Sequence, residues 1–357
     1  MSGCKKKGDT MNFQQKIILY AFQQFKGERS MQGVYHIVTG KRSQQSIQDA
    51  KWYHLSLLYG TFYSYSQKQF QKDLYFLVEH QYMYLNENTF IVTSKGRNAL
   101  ERFIEQIPNG LDGFTFSYAS FHFFSRLALY VQSLTNVLFQ KNGFVPIINH
   151  YPTKVWVKTH FPKTKNDQWL ILNQLYQDLE KVLQTLPQKQ AELIVYQLSS
   201  DQIIGMTIYQ LAEMYEQDYT FLQIEWVAGL HQIVKEAQVN QKKFQILPLF
   251  INDLIDEYPL TYTAKKTWQW LKDGYDIDQI AQIRQLKRST IEDHLVEIAL
   301  NVPSFSIQPY VKEPIKQAIE NVIKKQQTRK LKTIKQYLNK DVSYFQIRLV
   351  LAKGGEL

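Results

Sequence analysis

The spacing of apolar residues predicts that the N-terminal part of the chain is helical. Residues 12–26 carry apolar side chains at intervals of three and four, which places them on one face of a helix. Two shorter helices are predicted over residues 30–38 and 43–52. A fourth begins after Ser66, a residue type that caps helices, and we expect its buried face to contain Phe70, Leu74, Leu77 and Val78.

The pattern then changes to that of a β-hairpin. Residues 82–85 and 90–93 are rich in β-forming residues and flank the turn signal Asn-Glu-Asn at 86–88. Helical periodicity returns over residues 98–107. Helices followed by a two-stranded hairpin and another helix are the outline of a winged helix. The sequence therefore predicts a mostly α protein that begins with a winged-helix domain containing a small β-hairpin.

The middle of the chain shows only helical periodicity. Pro-Asn-Gly at 108–110 marks a domain boundary, and the helical pattern continues to residue 256. Thr207 can cap a helix here, and Leu211 and Ala212 would suit the first helix of a helix-turn-helix. Because the turn position, Glu216, is not glycine, we favour a packed helical bundle for this central domain.

Residues 258–300 carry the clearest motif. A helix over 263–272 ends at Gly274, and Asp276 can cap the next helix, where the small Ala281 lets two helices cross closely. Leu286 fills the turn. A further helix begins near residue 288 and is expected to direct Ile291, Leu295 and Ile298 to the core. This is a helix-turn-helix, and the predicted domains are residues 1–110, 111–256 and 257–357.

The outer face of that last helix predicts contacts with DNA. The N-terminal end of a recognition helix meets base edges and phosphates, and flanking cations bind the phosphate backbone. The predicted DNA-binding residues of the motif are Arg284, Lys287, Arg288, Ser289, Thr290 and His294. Glu292 and Asp293 lie on the same helix and oppose phosphate, so a motif used only for protein docking stays open.

The pattern T-x4-W-x5-G-x5-I-A-x2-R-x-L-x2-S-T-I-x2-H-L, read over residues 263–295, resembles a known family. It is similar to the helix-turn-helix at the C-terminus of many RecQ-type helicases and in a stand-alone bacterial family, YpbB-like, that is usually encoded beside such a helicase. Residues 331–353 and 41–50 are also similar to that family. The resemblance implies DNA binding or helicase assistance. One departure is Gln285, where many members have the glycine that a left-handed turn favours.

A second set of predicted DNA contacts comes from the N-terminal domain. Its recognition element would be residues 67–78, and the hairpin would be the wing. The predicted contacts are Lys68, Lys72, Lys95 and Arg97. The hairpin tip has neither an aromatic side chain nor a cation, so we expect holding of a duplex, fork or junction rather than strand separation. A winged helix used for dimerisation or docking is the alternative.

The distribution of charge favours an anionic partner at both ends of the chain. The formal net charge is +10 and the pI is about 9.2. Residues 1–110 contain 14 Lys and Arg against 8 Asp and Glu, residues 111–256 contain 11 against 13, and residues 257–357 contain 17 against 11. Two basic ends joined by a slightly acidic middle are typical of nucleic-acid binding. A basic run at residues 324–335 fits phosphate contact or a solvated helix face equally well.

The sequence predicts no catalytic site, no cofactor, no metal and no small-molecule substrate. The segment at 33–41, GVYHIVTGK, lacks the spacing of a phosphate-binding loop, and the eight histidines include no H-E-x-x-H pair. The single cysteine, Cys4, excludes a disulfide scaffold. The apolar stretch at 114–139 is interrupted by polar residues and is too broken to span a membrane, so a cytoplasmic location is expected.

These features predict a non-enzymatic DNA-binding accessory protein that acts with a RecQ-type helicase in DNA replication or repair. Two alternatives stay open. One is a transcriptional regulator that binds a specific DNA site, and the other is a protein-docking scaffold that does not touch nucleic acid.

Overall fold

The computed structural model describes residues 11–62, 64–141, 143–255 and 257–354. These residues form α-helices and one two-stranded antiparallel hairpin. The predicted mostly α fold with a small hairpin is therefore confirmed. Cys4 lies outside the described residues.

The elements of the first third of the chain follow the predicted order closely. They are α1 (Phe13–Phe25), α2 (Met31–Val38), α3 (Gln44–Trp52), α4 (Gln67–Glu79), β1 (Met83–Asn86), β2 (Thr89–Val92) and α5 (Ser94–Ala99). Short 3-10 turns occur at Ser56–Leu58 and Ile104–Gln106. The rest of the described chain is helical, with 3-10 turns at Gln241–Lys243 and Leu247–Phe250. Its helices are α6 (Gly113–Leu138), α7 (Tyr151–His160), α8 (Lys165–Leu183), α9 (Gln188–Val195), α10 (Ile208–Met214), α11 (Tyr219–Val239), α12 (Tyr262–Lys272), α13 (Ile277–Ile283), α14 (Arg288–Asn301), α15 (Glu313–Gln326), α16 (Leu331–Gln336) and α17 (Tyr344–Lys353).

Side-chain caps explain where several helices begin. The hydroxyls of Ser43, Ser66 and Thr93 accept the free backbone N–H groups at the starts of α3, α4 and α5. The cap at Thr93 corrects one prediction, because the helix expected over 98–107 begins at Ser94 and ends at Ala99. Val78 is also corrected: it is exposed, whereas the other three predicted inner residues of α4 are buried.

The described chain packs as two compact units. The first unit contains residues 11–20, 57–84 and 92–255, and the second contains residues 21–56, 85–91 and 257–354. These units do not follow the three predicted segments one for one, because α2 and α3 belong to the same unit as the C-terminal helices while α4 belongs to the first unit. The division into three domains, and the winged helix within it, stay predictions.

The first unit is built around α6, which packs against α7, α8 and α11. Phe123, Tyr130 and Phe250 form part of its core. Arg126 on α6 is buried, and its guanidinium binds the Asp253 carboxylate through two hydrogen bonds of 2.6 and 2.7 Å. Bidentate pairing offsets the cost of burying this charge. Asp253 thus has a structural role as the counter-charge of a buried arginine.

The second unit is built around α14, which packs against α3, α12, α13 and α17. The contact with α3 joins segments more than 230 positions apart. A carboxylate reinforces this connection: Glu28, in the α1–α2 loop, accepts hydrogen bonds from the Tyr53 hydroxyl at 2.7 Å, from the Thr328 hydroxyl and from the Arg329 N–H at 3.2 Å. Residues 21–56 are therefore part of the support of the helix-turn-helix.

Candidate nucleic-acid interface

The turn between α13 and α14 has the geometry of a helix-turn-helix. Asp276 and Gln279 form a reciprocal cap at the start of α13. The Leu286 N–H donates to the Ala281 carbonyl at 2.9 Å, which closes the turn. Gln285 has φ of 52°, so this turn adopts the left-handed conformation without glycine.

The N-terminal end of α14 presents several predicted DNA-binding residues to solvent. Lys287 is the N-cap residue and is exposed, as are Arg288 and Ser289, while Thr290 is half-buried. Ile291, Leu295 and Ile298 are buried on the opposite face, as predicted. Because the first turn of a helix also offers free N–H groups, this end of α14 can approach a phosphate oxygen.

Arg288 is exposed but already paired. Its guanidinium binds the carboxylate of Asp278 on α13, and its Nε donates to the Glu292 carboxylate at 3.2 Å. These hydrogen bonds raise the pKa of Arg288, so the group is positively charged throughout the physiological range. A DNA phosphate would have to compete with two carboxylates for it.

His294 does not face outward, and the prediction for this residue was wrong. Only 4% of its surface is exposed. Its Nδ1 lies 2.8 Å from the Thr267 hydroxyl, which also accepts a hydrogen bond from Arg284. Arg284 also lies 3.4 Å from Nδ1 and can only donate, so Nδ1 is the acceptor and the Thr267 hydroxyl gives it a proton.

The hydrogen bonds that link Arg284, Thr267 and His294 involve one titratable group, the imidazole, and one permanent cation. Burial, with a smaller effect from the Arg284 charge, lowers the pKa of His294 to about 4. The imidazole is therefore neutral at neutral pH. Arg284 also donates to the Thr263 carbonyl at 2.9 Å, and its side chain is half-buried. Arg284 thus holds α12 to the turn, and its role as a phosphate contact stays a prediction.

The predicted contacts of the N-terminal segment lie in the other unit. Lys68 and Lys72 are exposed on α4. Lys95 donates to the His80 carbonyl at 2.8 Å, and Arg97 donates to the Val92 carbonyl at 2.9 Å. All four side chains are exposed, but Lys95 and Arg97 are engaged with backbone carbonyls around the hairpin.

A second helix-turn-helix geometry lies in the first unit, between α10 and α11. Thr207 and Gln210 form a reciprocal cap. The Gln217 N–H donates to the Ala212 carbonyl at 3.1 Å, and Glu216 has φ of 50°. The cap, the turn bond and the left-handed residue match the motif at α13–α14 position for position. The missing glycine does not prevent the turn, and the Thr/Asp-x-x-Gln-Leu/Ile-Ala pattern is the sequence signal that the two motifs share.

The surface of this second motif differs from that of the first. Asp218 is the N-cap of α11, where the first motif has Lys287. Asp218 also accepts the Phe13 N–H at 3.4 Å, and Phe221 packs edge-on against the Phe13 ring at 5.2 Å. The N-terminal end of α11 is thus acidic and contacts the start of α1, while Asp218 itself is exposed. An acidic end disfavours contact with a DNA phosphate.

The fold and the turn geometry define this chain as a helix-turn-helix protein. Residues 263–351 match the profile of a family described as a helix-turn-helix domain. Over 348 residues the chain is 32% identical to Protein YpbB of Bacillus subtilis (strain 168), an alignment that covers 96% of this chain and 98% of that protein. The chain therefore belongs to the YpbB family, as its sequence motif indicated. No solved structure matches it.

Within residues 11–62, 64–141, 143–255 and 257–354, no helix has both the length and the apolar content needed to cross a bilayer. The same ranges hold no group of three or more His, Cys, Asp and Glu side chains placed to bind a metal ion.

Proposed function

We propose that this protein is a non-enzymatic, cytoplasmic DNA-binding accessory protein that acts with a RecQ-type helicase in DNA replication or repair. The observation that carries the proposal is the exposed N-terminal end of α14, where Lys287, Arg288 and Ser289 follow a complete helix-turn-helix turn. A phosphate here would meet two cations, a hydroxyl and free backbone N–H groups. Lys68 and Lys72 would give the first unit its own contact with a duplex, fork or junction.

The charges at α14 favour binding of DNA structure over reading of a sequence. Arg288 is held by Asp278 and Glu292, so it is poorly placed to reach a base edge through both of its terminal nitrogens. Phosphate contacts position a protein on DNA without sequence information. A transcriptional regulator would instead select a preferred site from random DNA.

The experiment that tests the proposal is a salt titration of binding to labelled duplex, fork and single-stranded DNA. A Lys287→Glu and Arg288→Glu double variant should lose at least tenfold in affinity, or about 1.4 kcal/mol. Its log–log salt slope should be shallower by roughly 0.9 for each lost phosphate contact. The matched control is Lys163→Glu with Lys165→Glu, two exposed lysines of the first unit with the same change of charge.

Two outcomes would contradict DNA binding at this site. One is a dissociation constant weaker than about 100 μM at low salt for every DNA, since non-specific binders usually do better. The other is equal affinity of the folded double variant and the wild type. The helicase part is tested separately, by measuring whether the purified protein changes the unwinding rate of a purified RecQ-type helicase on a fork.

The docking scaffold is the second candidate, and the second motif favours it. Asp218 and the stacked pair Tyr209 and Tyr219, whose rings are 4.0 Å apart, give α10 and α11 an acidic aromatic surface. Aromatic side chains are enriched in protein interfaces. If the helicase stimulation survives in the Lys287→Glu and Arg288→Glu variant that no longer binds DNA, docking is the better description.

A further inference from the structure

A cavity of about 680 Å³ lies within the second unit, away from the exposed end of α14. It is bounded by the end of α3, the last turn of α14, and parts of α15 and α17. Its volume falls in the range of small-molecule pockets in proteins. The helix-turn-helix function described above does not use it.

Basic side chains gather at this cavity. Lys51, His54, Lys324 and Arg329 line it, against one acid, Glu320. Glu320 lies 3.9 Å from the Lys316 ammonium group, which offsets its charge. The lining is therefore suited to an anion.

Arg329 is the best placed of these groups. Its backbone N–H donates to Glu28, which fixes the main chain, and its guanidinium lies 5.9 Å from the centre of the Tyr53 ring and 3.4 Å from Nε2 of His54. Burial lowers the pKa of Arg329, although an arginine stays charged at neutral pH. A partly desolvated guanidinium beside an open cavity gains from binding a phosphate through two hydrogen bonds.

The remaining walls are apolar. Leu300, Ile323 and Leu351 line the cavity together with Trp52, whose side chain is buried behind this wall with 3% exposed. The cavity thus offers cations at one part and an apolar surface at another.

We propose that this cavity binds a nucleoside monophosphate, with the phosphate at Arg329, Lys324 and His54 and the base against the apolar wall at Trp52. The nucleotide can be free or the 5′-terminal residue of a DNA strand, because both present a phosphate beside a base. The proposal does not depend on DNA binding by α14.

The test uses the full-length protein and calorimetric titration with AMP, adenosine and inorganic phosphate. AMP should bind more tightly than about 1 mM and at least tenfold more tightly than either fragment. Arg329→Gln and Lys324→Gln should each weaken AMP binding at least tenfold. Lys332→Gln is the matched control, since Lys332 is an exposed lysine of α16 outside the cavity lining.

A second arm distinguishes the two sources of the nucleotide. Short single strands with and without a 5′-phosphate are compared in the Lys287→Glu and Arg288→Glu background, which lacks the proposed contacts of α14 with DNA. Preference for the phosphorylated strand, lost on Arg329→Gln, supports a strand end as the ligand even if free AMP binds weakly. This comparison can be interpreted even if α14 does not bind DNA, because the background variant already lacks the proposed α14 contacts.

Three results would overturn the proposal. The first is that no probe, free or strand-terminal, binds more tightly than about 1 mM. The second is that adenosine or inorganic phosphate alone binds as well as AMP, because one half of the cavity would then contribute nothing. The third is that Lys332→Gln weakens binding as much as Arg329→Gln, which would indicate attraction by net charge.

Discussion

Arg288 forms an ion pair with Asp278, the second residue of the helix that precedes it. Both side chains are more than half exposed, so the pair contributes about 0.2–1 kcal/mol at most. The ion pair therefore has a small effect on stability. Its effect on DNA binding can be larger, because the pair occupies the guanidinium that would contact DNA. The pair holds the guanidinium at the N-terminal end of α14 and neutralises it at the place where a phosphate would arrive.

Removing this carboxylate should strengthen DNA binding. Asp278→Asn releases Arg288 from a competitor worth about 0.2–1 kcal/mol, so we expect the affinity for duplex DNA to rise about threefold. The salt dependence should also become steeper. Anisotropy titrations with labelled duplex at two salt concentrations measure both effects.

The matched control is Asp273→Asn. Asp273 is exposed at the end of α12 and the substitution makes the same change of net charge. If both variants gain equally, the gain comes from net charge and the pair with Arg288 has no specific role.

Glycine at the turn should stabilise the helix-turn-helix. Gln285 has φ of 52°, a conformation that costs an ordinary residue about 1 kcal/mol and glycine almost nothing. We therefore expect Gln285→Gly to raise the free energy of opening of α13 and α14 by about 1 kcal/mol, as measured by hydrogen exchange of their amides.

The same substitution three residues earlier should have the opposite sign. Gln282 is exposed within α13, where glycine costs about 1 kcal/mol. Stabilisation by Gln282→Gly, or destabilisation by Gln285→Gly, would show that the turn conformation is not the cause.

Local features of the fold could be predicted from the sequence because they depend on neighbouring residues. The caps at Ser66, Thr207 and Asp276 were all predicted, and all three side chains accept the expected backbone N–H. The packing of α3 against α14 could not be predicted, because the periodicity of a helix does not indicate which distant helix it packs against. The second helix-turn-helix could also be predicted from the sequence, but the absence of glycine at Glu216 favoured a helical bundle instead.

The position of His294 shows a different limit. It lies three residues after Ile291 and one before Leu295, so helical spacing alone would place it on the buried face. Its polarity suggested the outer face instead. Thr267, 27 positions earlier in the chain, and Arg284 make burial acceptable by giving Nδ1 donors. A polar residue's partner in the fold decides its burial, and that partner lies outside the local sequence.

Acid should weaken the second unit through His294. Its pKa is about 4 in the folded protein, whereas an unfolded histidine has about 6.5. The unfolded state therefore binds an extra proton between these values, and stability falls as the pH drops from 6.5 towards 4, by about 1.4 kcal/mol per pH unit. Stability above pH 6.5 should not depend on this group.

His294→Asn isolates this effect, because the amide keeps an acceptor for Thr267 and does not titrate in this range. Hydrogen exchange of α14 amides at pH 7 and pH 5 should show a smaller loss of stability in the variant than in the wild type. The NMR titration of the His294 ring gives the pKa directly, and a value near 6.5 would contradict its burial.

Loss of the Glu28 carboxylate should loosen the second unit and leave the first unchanged. Glu28 accepts hydrogen bonds from Tyr53, Thr328 and the Arg329 backbone, so Glu28→Ala leaves three donors without their acceptor. We expect a loss of roughly 1–3 kcal/mol. Hydrogen exchange should report it at α3, α15 and α17, whereas the amides of α6 in the first unit should keep their protection. Glu101→Ala, at an exposed position of the first unit, is the control. Equal loss in both units would mean that they unfold together, and no loss at α3 would mean that contacts other than those of Glu28 hold residues 21–56 to the C-terminal helices.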